Sequence, residues 1–283
     1  MNNSNQVQFK KQREIGDVLT DTFRFIRENY KPLLKYIYKY SGPYFIILVA
    51  TLGYYSYTTV GNAFLNLSEN EGNFIISLLV MLLGMLIFYA SLYSTVLNYI
   101  KSYVQHHGNV IEEEVKSNAQ KDFSKLLLLF FIIFILCVAG IILFIIPGIY
   151  LAVPLALAAP VLVFKNLGVS ESISYCFKLI KEHWWITFIT LAIIWILVYV
   201  ISLAFQMPLI IYTVVKTITV VQEGSSADPN IKDWVLISLT VLSSLIQYVL
   251  SAITIVTLAF IYFNLNEHKH LTGTYETIEK LGE

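Results

Sequence analysis

Five stretches of this 283-residue chain contain no Asp, Glu, Lys or Arg: residues 40–68, 73–100, 126–164, 184–215 and 234–266. A helix needs about 20 apolar residues to cross about 30 Å of hydrocarbon. Four of the runs fit one span each, with Lys35 and Lys39 at the cytosolic end of the first. The third run is long enough for two spans, and Pro147-Gly148 sits where a turn is needed, since Pro stops the preceding helix and Gly permits a tight reversal. The expected fold is an all-α polytopic transmembrane helical bundle of six spans, at about residues 33–60, 74–100, 124–146, 149–165, 184–215 and 234–264. Composition agrees: 13% of residues are charged, against about 25% in soluble domains.

Lysine and arginine set the orientation. With six spans, seventeen of the nineteen fall on one side, in the N-terminal segment, the second-to-third and fourth-to-fifth loops and the tail. Only Lys216 and Lys232 fall on the other side, so both termini are expected in the cytoplasm. Residues 1–11 read as a disordered polar N-terminus without the apolar core of a signal peptide, residues 12–266 as one membrane domain, and 267–283 as a cytosolic tail. Cys137 falls in a span and Cys176 on the cytosolic side, so no disulfide joins them.

An octet recurs. Phe23-Arg24-Phe25-Ile26-Arg27-Glu28-Asn29-Tyr30 returns as Phe177-Lys178-Leu179-Ile180-Lys181-Glu182-His183-Trp184. Each copy belongs to an amphipathic stretch leading into an apolar run. In residues 12–30 the apolar positions Ile15, Val18, Leu19, Phe23, Ile26 and Tyr30 recur at helical spacing; in 169–183 Val169, Ile173, Cys176, Phe177 and Ile180, with Trp184 just beyond, repeat the design. Such helices either lie in the headgroup plane or fold against the ends of the bundle. A fainter third copy runs from Val110 to Phe123. The unit is then a cytosolic helix plus a helical hairpin, an internal pseudo-repeat of the kind found in transporters and in duplicated scaffolds. The fourth span, with Pro154 and Pro160, reads as a short span, a broken helix or a re-entrant loop.

No acidic, basic or histidine side chain lies deep in a span, which lowers the odds of a proton- or ion-coupled transporter. The last span carries Thr240, Ser244, Gln247, Ser251 and Thr254 on one face, a packing seam or a polar groove, with Gln206 as a candidate partner for Gln247. Asn98 and Asn264 read as helix-end hydrogen bonders. His106-His107 with Glu112, Glu113 and Glu114 matches no common metal-ligand spacing and reads as a solvated loop. His183 reads as a polar cap or headgroup contact. Tyr and Trp gather near span ends, as in a bilayer aromatic belt. Asn66-Leu67-Ser68 fits a glycosylation sequon. No phosphate loop, nucleophile elbow or zinc motif occurs, so no catalytic, cofactor or metal residues are expected, and zero net charge implies no nucleic-acid partner.

Two segments resemble a known family. One is Glu14-Ile15-Gly16-Asp17-Val18-Leu19 through Phe23, Phe25 and Ile26 to Lys31-Pro32-Leu33. The other is Ile146-Pro147-Gly148-Ile149-Tyr150-Leu151-Ala152-Val153, Ala159-Pro160-Val161, Asn166-Leu167-Gly168-Val169 and Lys178-Leu179-Ile180-Lys181 to Trp184-Trp185. Together they resemble the membrane domain found beside some bacterial glycerophosphoryl diester phosphodiesterases, and related stand-alone multi-pass proteins of unknown function. The phosphodiesterase of that family is a separate soluble barrel, and its catalytic residues map onto nothing here. Lys165 also stands where the pattern often has an acidic residue. The resemblance implies a bacterial inner membrane and no substrate.

The expected role is a non-enzymatic multi-pass inner-membrane protein, a scaffold or lipid-interacting module with membrane lipid and other membrane proteins as partners. The alternatives are a transporter or channel for a neutral or amphiphilic solute and an accessory subunit of a larger membrane complex.

Overall fold

A computed structural model describes residues 6–60, 71–143, 145–223 and 233–281, and among these every regular element is helical. In chain order they are α1 (Ile15–Tyr36), a π-helical turn (Ile37–Ser41), α2 (Gly42–Val60), α3 (Glu71–Gln105), α4 (Glu112–Leu143), α5 (Ile145–Ala156), α6 (Ala158–Lys165), α7 (Val169–Ile180), α8 (Trp184–Glu223), α9 (Trp234–His270) and α10 (Thr272–Leu281). The chain divides into two compact units, one of Met1–Ser41, Tyr89–Ile196 and Ala252–Glu283, the other of Gly42–Phe88 and Leu197–Ser251.

Five of the described helices are long and apolar enough to cross a membrane, in 72–105, 112–140, 146–165, 184–219 and 234–270. The expected first span is not among them. Its helix, α2, has only 19 residues, and Thr51, Tyr54, Tyr55, Ser56, Tyr57 and Thr58 dilute it. The sequon at Asn66 lies outside the described residues.

The boundaries differ from expectation where proline intervenes. α1 does not end near residue 30; it continues through Pro32 to Tyr36. Pro43 then lacks the N–H that would close the α ladder onto Lys39, and the wider π turn sits at that place. Pro147 and Gly148 are not a loop. Both residues lie in the first turn of α5, which begins at Ile145, where proline's missing donor costs little. Gly148 instead permits close approach: a Cβ added to Gly140 of α4 would stand 3.2 Å from the Gly148 Cα. The fourth span is a broken helix. Pro160 cannot donate to the carbonyl of Ala156, and Leu157 turns back onto the Pro154 carbonyl at 3.1 Å before α6 begins. The candidate third copy at 110–123 is no separate helix, because α4 runs unbroken from Glu112 into its apolar run.

Residues 6–13 also depart from expectation. Val7 and Phe9 are buried, and the Phe9 ring stacks on Phe260 at 4.2 Å and meets Phe25 edge-on at 5.1 Å. The segment is therefore part of the core rather than a disordered extension, because two apolar side chains among polar neighbours suffice to anchor it there. The tail is ordered too: Leu271 takes a positive φ of 50°, and Gly273 donates to the Glu267 carboxylate at 2.9 Å as α10 begins.

Candidate functional site

α1 and α7 have matching local chemistry. Both open on an N-cap whose N–H donates to an acidic side chain three residues on: Glu14 to Asp17 at 3.4 Å and Gly168 to Glu171 at 3.1 Å. Both bury the same register positions: Val18, Thr22 and Phe25 in α1, and Ser172, Cys176 and Leu179 in α7. Burial pushes the Cys176 thiol up to about 12. Of the residues that read from sequence as the apolar face, Val18, Cys176 and Ile180 are buried, and the others sit beside that stripe. Ile15, Leu19 and Ile26 are half-buried and Phe23 is exposed; Ile173 and Phe177 are half-buried, and Ile180 is buried. At about 100° per residue, this second apolar stripe lies roughly a quarter-turn from the buried one. Trp184, half-buried, stacks on Tyr150 at 5.3 Å and donates its indole N–H to the Tyr150 carbonyl at 3.3 Å.

A pocket of about 490 Å³ opens at the start of α1. Its walls come from Arg13, Glu14, Ile15, Gly16 and Val18, from His183 just before α8 and Ile186, Thr187 and Thr190 in it, and from Ile261, Asn264, Leu265 and His268 on α9. Small-molecule sites span about 300–1,000 Å³. Asn264 holds the rim by both ends of its amide: Oδ1 accepts from the Arg13 N–H at 2.8 Å, and Nδ2 donates to the Arg13 carbonyl at 3.1 Å. The Arg13 guanidinium is buried and committed. It donates to Asp21 at 2.8 Å, to the Phe9 carbonyl at 2.7 Å, to the Lys11 carbonyl at 3.0 Å and to the Gln8 carbonyl, and it lies over the Phe260 ring at 5.0 Å. Thr187 and Thr190 are buried and donate to carbonyls of their own helix turn. His183 and His268 face each other with ring centroids 5.0 Å apart.

A second polar group is closed and structural. Asn98 Nδ2 donates to the Ser94 carbonyl at 3.0 Å and to Asp122 at 3.2 Å, while its Oδ1 has no partner although buried. Lys101 donates to the Val163 carbonyl at 2.8 Å and to Asn166 Oδ1 at 2.6 Å; Asn166 ends α6 in the left-handed conformation. Sequence reasoning missed Lys101 and Asp122 because neither lies inside a charge-free run.

The polar stripe of α9 is neither a hydrogen-bonded seam nor paired to Gln206. Thr240, Ser244 and Ser251 donate to carbonyls of α9 itself, at 2.8, 2.8 and 2.5 Å, as hydroxyls in helices commonly do. Gln247 is exposed and Thr254 half-buried. Gln206 reaches Ser202 on its own helix at 3.5 Å. Of the His106 region, His106 pairs with Glu114 at 2.8 Å, while Glu112 pairs with Lys39 and accepts from Tyr40 at 3.2 Å. Among the described residues no three His, Cys, Asp or Glu side chains gather as a metal site would require.

Comparison adds no relative to these observations: no family model, no curated protein and no solved structure matches the chain.

Proposed function

We propose that this chain is a non-enzymatic multi-pass membrane protein whose helices α1 and α7 bind membrane lipid, a lipid-interacting scaffold of a bacterial inner membrane. The observation that carries the reading is the double face of those two helices. One stripe is buried within the fold, and a second apolar stripe at the same register, with Phe23 and Tyr30 in α1 and Ile173 and Phe177 in α7, stays partly uncovered. An interfacial helix keeps such a stripe for the acyl boundary. The flanking Trp185, 71% exposed, suits the headgroup level. In this reading α2 is a sixth, tyrosine-rich span, both termini are cytoplasmic, and α1 and α7 are the leading helices of a duplicated unit. The likeness to the phosphodiesterase-associated membrane domain points the same way. The solute-carrier alternative is weakened because the hydroxyls of the α9 stripe spend their protons on their own helix.

Hydrogen exchange before and after delipidation tests the proposal. Protection should fall first at residues 15–30 and 169–180 when lipid is stripped. Equal protection there with and without lipid would sink it.

A further inference from the structure

Building on α1 and α7 as lipid-facing helices, we propose that the pocket of Glu14, His183 and His268 holds the headgroup of a zwitterionic aminophospholipid. The phosphate lies toward the histidines and the ammonium toward Glu14.

The pocket's lining carries polar groups from the α1 side and from the α8 and α9 side. At the α1 end, Glu14 lines the wall and Asp17 occupies the first turn, so that end already carries negative charge. At the α8 end no acidic residue stands in the first turn, so that turn adds no negative charge to the partial positive charge of the helix start. There the two imidazoles face each other, and neither makes a hydrogen bond to another described residue. Each offers an N–H to an anion placed beside the pair. Arg13 is not available for that role, because its guanidinium is already shared among Asp21 and three backbone carbonyls.

A metal ion fits the donor set less well, since two histidines lack the third protein ligand that even an open site uses. A free anion would leave Glu14 facing it unfavourably. A phosphodiester bearing an ammonium group satisfies both ends at once. Ile15, Ile186, Ile261 and Leu265 supply an apolar wall for the glycerol and the first acyl carbons.

The test uses full-length protein, stripped of lipid in detergent and examined by native mass spectrometry. The probes are dioctanoyl phosphatidylethanolamine, dioctanoyl phosphatidylglycerol and inorganic phosphate. Phosphatidylethanolamine should be retained in preference to phosphatidylglycerol, and inorganic phosphate should not displace it. His183→Gln with His268→Gln should weaken that binding about tenfold or more, as expected when charge-assisted hydrogen bonds are lost. Glu14→Gln should erase the preference for the ammonium-bearing lipid while leaving phosphatidylglycerol binding as it was. His268→Gln alone, at an exposed position, should unfold at the wild-type temperature yet bind more weakly, which separates lost binding from lost folding.

Equal retention of the two lipids by the wild type, or full binding by the histidine variants, overturns the assignment. Displacement by inorganic phosphate overturns the lipid source and leaves a free-anion site. If lipid still protects α1 and α7 from exchange while phosphatidylethanolamine shows no preference, only the pocket assignment falls. If the preference holds and protection is independent of lipid, the interfacial reading falls instead.

Discussion

Asn264 is the residue on which the ordered N-terminal segment turns. Its amide replaces water for both backbone groups of Arg13, 251 positions away in sequence. Asn264→Leu keeps the volume and removes both bonds, leaving a buried N–H and C=O unsatisfied. The expected loss is about 2 kcal/mol or more, read as a lowered unfolding midpoint in detergent. A mild effect, within a few tenths, would mean that water fills in for the amide. The sequence marks Asn264 as a hydrogen-bonding residue near a helix end, which is right in kind. It cannot mark the partner, because a side chain that caps a distant backbone leaves no periodic trace. Phe9 was hidden for a related reason: one aromatic among polar neighbours carries no pattern, and its place in the core is set by Phe25 and Phe260 on other elements.

Among the elements, α1 and α7 are the most legible, since a helical period repeats every turn and the octet recurs with like residues at every position. What periodicity could not divide was the apolar arc itself. It contains a stripe covered by the fold, which Thr22 and Ser172 interrupt with polar groups, and a stripe left open. The α9 stripe failed in the opposite sense: a regular polar pattern suggested a shared seam, but a hydroxyl one turn from its own carbonyl needs no neighbour. Pro147-Gly148 reads from sequence as a turn, but both residues lie inside α5, and Gly140 of α4 approaches the Gly148 backbone there. Gly140→Val would press a branched side chain against the Gly148 backbone and should cost roughly 1–3 kcal/mol, as overpacking does. Thermal unfolding of that variant beside Gly140→Ala measures it, with the larger side chain expected to be the worse; wild-type stability in both would rule out the close contact.

For the whole molecule, the charge-free runs made the all-helical, membrane-compatible character plain, and five helices carry it without α2. The sixth crossing is the part that hydropathy leaves open, because tyrosine and threonine lower the mean while still suiting a span packed among neighbours. Counting decides the sidedness of the ends. With α2 across the bilayer, reporters fused to the two termini should both be inaccessible to protease added outside spheroplasts; exposure of one terminus alone would remove α2 from the count. The same Arg13–Asn264 clamp has a meaning for how such a chain is made. Its first half leaves the ribosome long before its second half exists, so nascent chains must keep Val7, Phe9 and a guanidinium unlatched until the last long helix has been synthesised. Assembly is thereby timed by translation: a product that stops short of residue 264 lacks the catch for its own beginning, and it presents quality-control proteases with a loose, greasy end.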